Sequence, residues 1–264
     1  MKQISFTICV LLILIGLPLH ADILTIAPCD KATVNIFGDI ITLSDDEGIL
    51  RRYVKGKLIN VFSSNKYASK INLVEPLKPV LDEPDKIYLL DAANNTVISW
   101  DRFLNIRSIT PLHKDILSPQ AFTVTSEHDW LIYDDFYDHI IQIHPGEGYP
   151  TRWGDKSVSG EIDLFSFEQF VLIFLKNKKI IRISDEDGTS LNEFILPDSL
   201  NITQVFPLGR KTIGLANDKS LYIWKPESKM LRYLTDFENV IYFGPSQNNQ
   251  YLLISQDGDV LTTP

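Results

Sequence analysis

Six stretches of the chain repeat one pattern of hydrophobic and polar positions: an apolar run, a short polar turn, then a second run opening on two adjacent apolar residues. They are IITLSDDEGILRRY (40–53), IYLLDAANNTVISWD (87–101), LIYDDFYDHIIQIH (131–144), FVLIFLKNKKIIRIS (170–184), TIGLANDKSLYIWK (212–225) and YLLISQDGDVLTTP (251–264). Counted from the first turn residue (Asp45, Asp91, Asp134, Lys176, Asn217, Gln256), the steps are 46, 43, 42, 41 and 39. A repeat of about 42 residues built from apolar hairpins matches a four-stranded propeller blade. Asp, Asn and Gly in the turns suit tight hairpins because they tolerate positive φ. The apolar pairs Ile49-Leu50, Val97-Ile98, Ile140-Ile141, Ile180-Ile181, Leu221-Tyr222 and Val260-Leu261 predict strands buried on both faces between neighbouring blades.

The other strands follow from position. A strand lining the central channel is predicted before each hairpin, at 33–37, 121–125, 162–166, 202–206 and 240–243. In the second blade it is placed at 70–74, followed by a long Pro-rich loop, EPLKPVLDEPDK (75–86). Outer strands are predicted at 58–62, 106–110, 191–195 and 230–234. The sixth unit ends one strand short and a surplus strand, 22–26, precedes the first. The expected fold is therefore all-β: a six-bladed β-propeller closed by an N-terminal strand added to the last blade. That closure leaves no open sheet edge at the seam.

At the second and third blades, IYLLDAANNTVISWD and PQAFTVTSEHDWLIYDDFYDHIIQIH (119–144) resemble the blade signature of NHL-repeat propellers. The chain is poorer in glycine than that family, which leaves TolB-like and lactonase-like propellers as alternatives. The resemblance implies a scaffold used mostly for binding and sometimes for catalysis.

Charge and the two ends change the picture further. Residues 1–21 carry Lys2, an uncharged run from Ile4 to Leu19, Pro18 and a small residue, Ala21, at a cleavage position. That is the layout of a secretory signal peptide, with the propeller at 22–264. The 16-residue run is shorter than the roughly 20 residues a spanning helix needs. An uncleaved anchor and a buried first strand are the alternatives. Cleavage removes one lysine and no acid, taking the net charge from −9 to −10. So acidic a chain, without a basic cluster, is expected not to bind nucleic acid. Removal of Cys9 leaves Cys29 alone, so no intrachain disulfide is expected. A secreted or periplasmic monomer is expected, with no membrane insertion after cleavage.

Hairpins and blade-to-blade connections share one face of a propeller, and that face gathers the candidate ligand-facing residues: Asp91, Asn94, Asp134, Asp135, Asp138, His139, Asn217 and Asp257. A ring of carboxylates there could hold calcium, which takes six to eight oxygens. The competing reading is that Asp and Asn serve turn geometry. No G-x-S-x-G elbow and no EF-hand-like spacing occurs. His139 and His144 are expected on opposite faces of a strand and unable to share a metal. Trp100, Trp130, Trp153 and Trp224 are expected to pack blades. The function expected is an exported, non-catalytic binding or assembly module without a cofactor, taking a protein or small-molecule ligand on one face. The alternative is a calcium-dependent, lactonase-like hydrolase or lyase using channel residues such as Asn35, Thr123 and Asp163.

Overall fold

The computed structural model describes residues 24–35, 37–44, 48–63, 77–81, 86–146, 149–209, 211–246 and 250–263. The proposed signal segment and the strand expected at 70–74 lie outside them. Among the described residues, 24 strands form six four-stranded antiparallel sheets.

Blade 1 comprises β2 (Lys31–Val34), β3 (Ile40–Ser44), β4 (Ile49–Val54) and β5 (Lys57–Ser63). Blade 2 comprises β6 (Leu77–Leu81), β7 (Lys86–Asp91), β8 (Thr96–Asp101) and β9 (Ile106–Pro111). Blade 3 comprises β10 (Pro119–Val124), β11 (Trp130–Asp134), β12 (His139–Ile143) and β13 (Thr151–Trp153). Blade 4 comprises β14 (Ile162–Phe167), β15 (Phe170–Leu175), β16 (Ile180–Asp185) and β17 (Ser190–Ile195). Blade 5 comprises β18 (Gln204–Gly209), β19 (Thr212–Ala216), β20 (Ser220–Lys225) and β21 (Met230–Asp236). Blade 6 comprises β22 (Val240–Pro245), β23 (Tyr251–Ser255) and β24 (Asp259–Thr263), with β1 (Leu24–Thr25) as its outermost strand.

The innermost strands touch in cyclic order, β2 to β6, β10, β14, β18 and β22, and β22 returns to β2. This makes the molecule a six-bladed β-propeller. One element moves from its expected place: the inner strand of blade 2 is Leu77–Leu81, inside the segment read as a Pro-rich loop, and pairs with β7 from Leu77↔Asp91 to Leu81↔Ile87. An inner strand bonds only one sheet neighbour, so Pro79 is accommodated opposite Leu89 without its missing N–H breaking two ladders.

The apolar pairs explain the packing. Successive strand residues point to opposite faces, and each blade interface has its own core cluster. Ile98 packs toward blade 1 while Val97 packs toward blade 3. Ile141 and Ile140 divide in the same way between blades 2 and 4. The tryptophans join these interfaces: Trp100 is sealed between blades 1 and 2, Trp130 between 2 and 3, and Trp153 between 3 and 4, while Trp224 packs edge-on against Phe194. In five of the six central hairpins the residue before the third strand is left-handed: Gly48, Asn95, Asp138, Lys179 and Gly258.

Candidate functional site

The eight residues singled out by sequence all lie on the hairpin face, on separate hairpins of blades 2, 3, 5 and 6. Two of them are buried. Asp91 accepts the Asn94 amide at 3.1 Å and the Asn94 side-chain Nδ2 at 2.7 Å, and burial pushes its carboxyl above the usual range. Asp134 is fully buried and accepts three amides: Leu117 at 2.7 Å, Ser118 at 3.1 Å and Phe136 at 3.0 Å. Its carboxylate thereby ties the crossover from blade 2 to the hairpin of blade 3. Asn217 does the same in blade 5, accepting Lys219 and Ser220 amides and donating to the Leu200 carbonyl of the preceding crossover. Asn94, Asp135, Asp138 and Asp257 are exposed. Asp135 accepts the Tyr133 hydroxyl at 3.0 Å, an interaction that, after burial, pushes that phenol up. His139 donates Nδ1–H to the Tyr137 carbonyl at 2.9 Å, and both residues wall a shallow hollow of about 300 Å³ with Asp115 and Arg152.

The channel residues are also engaged. Thr123 Oγ1 accepts the Ser166 amide across blades 3 and 4 at 2.9 Å. Asp163 lies 3.3 Å from Lys176. Burial alone would lower the Lys176 pKa, but Asp163 and Glu161 together hold it above its ordinary value. Among the described residues no three His, Cys, Asp or Glu side chains come together as a metal-ligating group.

A groove of about 760 Å³ lies elsewhere, on the rim between blades 2 and 3. This is within the ~300–1,000 Å³ range of small-molecule sites. Two local features open it. The outer strand of blade 3, β13, has three residues where β5, β9, β17 and β21 have six or seven. On blade 2, the groove wall carries the small hydroxyl residues Ser99, Ser108 and Thr110. Ser99 and Ser108 face each other across β8 and β9, their Oγ atoms 2.7 Å apart. Tyr88, Leu112, Trp130 and Ile143 supply apolar wall. The Tyr88 and Trp130 rings meet edge-on at 6.0 Å.

The groove's lip holds an Asp–His pair that sequence reading missed. Asp129, buried in the turn before β11, accepts Nδ1–H of His144 and, at 2.6 Å, Nε2–H of Gln142. Fixing Nδ1 on a carboxylate selects the imidazole tautomer and leaves Nε2 as the other ring nitrogen. The half-exposed His144 ring lines the groove. A signal for this pairing was present: Asn35 to Asp39 and Thr125 to Asp129 are the same four-step turn, closed in each case by the Asp amide on the first side chain. In blade 1, Arg52 occupies the position of Gln142, and it too donates to the turn aspartate.

No protein-family model matches the chain, and no curated protein is similar to it in sequence. Solved structures share its fold. A streptogramin B lyase aligns over 92% of this chain and 86% of its own, with 11% identity and a TM-score of 0.58. Virginiamycin B lyase from Staphylococcus aureus aligns over 92% and 87%, with 10% identity and a TM-score of 0.60. A protein of unknown function from Bacteroides thetaiotaomicron aligns over 90% and 69%, with 8% identity and a TM-score of 0.67. At such identities the likeness is one of architecture alone: this chain's ring of six four-stranded blades aligns over most of its length with each of these proteins.

Proposed function

We propose that this protein is an exported binding module that seats a small-molecule ligand in the groove between blades 2 and 3. The observation carrying this reading is the groove itself: about 760 Å³, half apolar wall and half hydroxyl and basic side chains, opened by the short β13. Propellers place variable loops on a rigid ring, so a gap in one blade becomes a site without loss of the scaffold. Export rests on the signal-like 1–21 segment. Mass spectrometry of the chain recovered from cells that make it should find a new N-terminus near Asp22 outside the cytoplasm. Equilibrium dialysis of that protein against a small-molecule extract should return a bound compound chemically unaltered. Recovery of a full-length cytoplasmic chain overturns export, and turnover of the bound compound overturns the non-catalytic part.

A second reading, a hydrolase or lyase acting in the same groove, has one observation in its favour. His144, oriented by buried Asp129, has the geometry of a general base whose Nε2 serves the proton transfer. Two of the proteins with this fold are lyases. Calcium dependence belongs to this second reading, and loss of turnover on chelation would test it.

A further inference from the structure

We infer that the groove between blades 2 and 3 selects a small organic anion, a carboxylate or phosphate borne on a flat apolar body. This rests on the reading of the groove as the ligand seat and specifies what it takes. Acids outnumber bases 34 to 25 over the whole chain, yet the groove is lined by Lys86, Arg107, Lys114, His113 and His144 and by no Asp or Glu. Against a background that repels anions, a local concentration of basic groups focuses the field at one place. The basic groups are partly engaged from outside the groove. Arg107 shares Asp101 at 3.0 Å, and its guanidinium has five donors, more than one carboxylate uses. His113 lies 3.3 Å from Asp115, and His144 is held by Asp129. Lys114 is exposed on the crossover that forms the groove's upper edge.

The rest of the wall selects the ligand's body. Tyr88, Trp130, Leu112 and Ile143 offer aromatic and aliphatic surface against which a planar group packs. In the Ser99–Ser108 pair one hydroxyl donates to the other, which leaves a single O–H as a neutral donor beside the cations. Trp130 is buried within this wall, and its indole N–H meets no acceptor among the described residues. A flat apolar group between the walls with its anionic end toward Arg107 and Lys114 satisfies each of these.

The test is calorimetric titration of the mature chain with phenyl phosphate, benzoate, inorganic phosphate and benzyl alcohol. Phenyl phosphate or benzoate should bind saturably, and the two arms separate phosphate from carboxylate. Benzyl alcohol and inorganic phosphate should bind at least about tenfold more weakly, a difference of ~1.4 kcal/mol. Exposed Arg107 and Lys114 can be changed without opening a core, so the variant Arg107→Gln/Lys114→Gln should fold and weaken the aromatic anion by a similar factor. Ser108→Trp, which fills the groove, should abolish binding. If benzyl alcohol binds as tightly as the anions and Ser108→Trp removes it, the groove stands as a ligand seat and the anion inference falls. If an anion binds equally well to Ser108→Trp, its site is elsewhere and the reading of the groove falls too. No saturable binding of either aromatic anion, or undiminished binding by the double variant, also overturns the inference.

Discussion

The Ile26 amide donates to the Gly258 carbonyl at 2.8 Å, and the Gly258 α-carbon packs so closely under the Ile26 carbonyl that an added methyl would overlap that oxygen. The contact sits where the first strand meets the last hairpin. Leu24 pairs with Val260 and Thr25 with Asp259, and Ile26 is buried with Ile40, Tyr53, Ile254 and Val260 between blades 6 and 1. The Leu24 side chain lies over Gly56 of blade 1.

Gly258→Ala should therefore destabilise the protein on two counts. The residue has φ +91°, and an L side chain in such a conformation costs roughly 1–3 kcal/mol. The overlap with backbone adds to this because neither partner is a flexible side-chain end. Gly38→Ala is the control: φ is +78° and nothing lies within 4 Å of the added carbon. Matched thermal melts should show Gly258→Ala unfolding at the lower temperature, with a size-exclusion profile shifted toward association through the exposed edge of β24. Equal melts for the two variants would mean that the first strand contributes little.

Asp134→Asn should cost about 1–3 kcal/mol. Both carboxylate oxygens accept backbone amides, from Leu117 on one and from Ser118 and Phe136 on the other. An amide in its place turns one acceptor into a donor facing N–H groups in a fully buried site. The neighbouring Asp135→Asn keeps an acceptor for the Tyr133 hydroxyl at an exposed position and should change stability by less than about 0.5 kcal/mol. Urea denaturation of the two variants checks the contrast, which fails if they are equally stable.

Those two adjacent aspartates show how far the sequence could be read. Blade period, hairpins and the apolar pairs were legible because each residue of a pair is dictated by a different blade interface. Asp134 and Asp135 are indistinguishable in a run of turn residues, since what separates them is which one meets the crossover 17 residues upstream. The strand Leu77–Leu81 was hidden by its one proline, Pro79, which an inner strand tolerates on one side. The groove was hidden because it arises from a strand cut short and from serines that read as ordinary strand residues.

Acid stability should depend on Asp101 and Asp91 in opposite senses. Burial alone would raise Asp101, but the Asn105 amide and side chain, the Phe103 amide and Arg107 outweigh it and hold the carboxyl below its ordinary 3.8. Ionised Asp101 thus stabilises the fold above that value, and the contribution is lost as pH falls toward the folded value. Asp91 is raised by burial, so its contribution is present when protonated and is lost as pH rises through its folded value. Melts between about pH 3 and 7 should show the acid limb flattened in Asp101→Asn. Asp91→Asn should be tolerated at neutral pH, since Asn94 can turn its own amide to match. A steeper acid limb in Asp101→Asn would contradict the assignment.

Arg52 and Asp39 make the strongest test of how blade 1 is held. Arg52 donates Nε at 2.9 Å and Nη2 at 2.6 Å to one oxygen of Asp39, and Nη1 to Asn60 at 3.0 Å, with both charged side chains buried. Asn35 adds a donor to the same Asp39 oxygen at 3.2 Å, and Arg102 lies 3.7 Å away. Removing one partner of such a buried pair typically costs about 3–5 kcal/mol; without Arg52, Asp39 would keep as counter-ion only the longer contact to the part-exposed Arg102. Asp39→Leu should fall in that range, and Arg52→Leu toward its lower end, since Arg102 stays beside Asp39. The double change should cost less than the sum, because the desolvation of each charge is removed together with its partner. Blade 3 adds a sharper discrimination. There the equivalent donor to the turn aspartate is the neutral Gln142, at 2.6 Å from Asp129. If the aspartate chiefly needs a hydrogen-bond donor, Arg52→Gln should retain much of the stability that Arg52→Leu loses. If Arg52→Gln is as damaging as Arg52→Leu in equilibrium unfolding, the positive charge itself is what blade 1 requires, and the parallel between the two turns is one of shape alone.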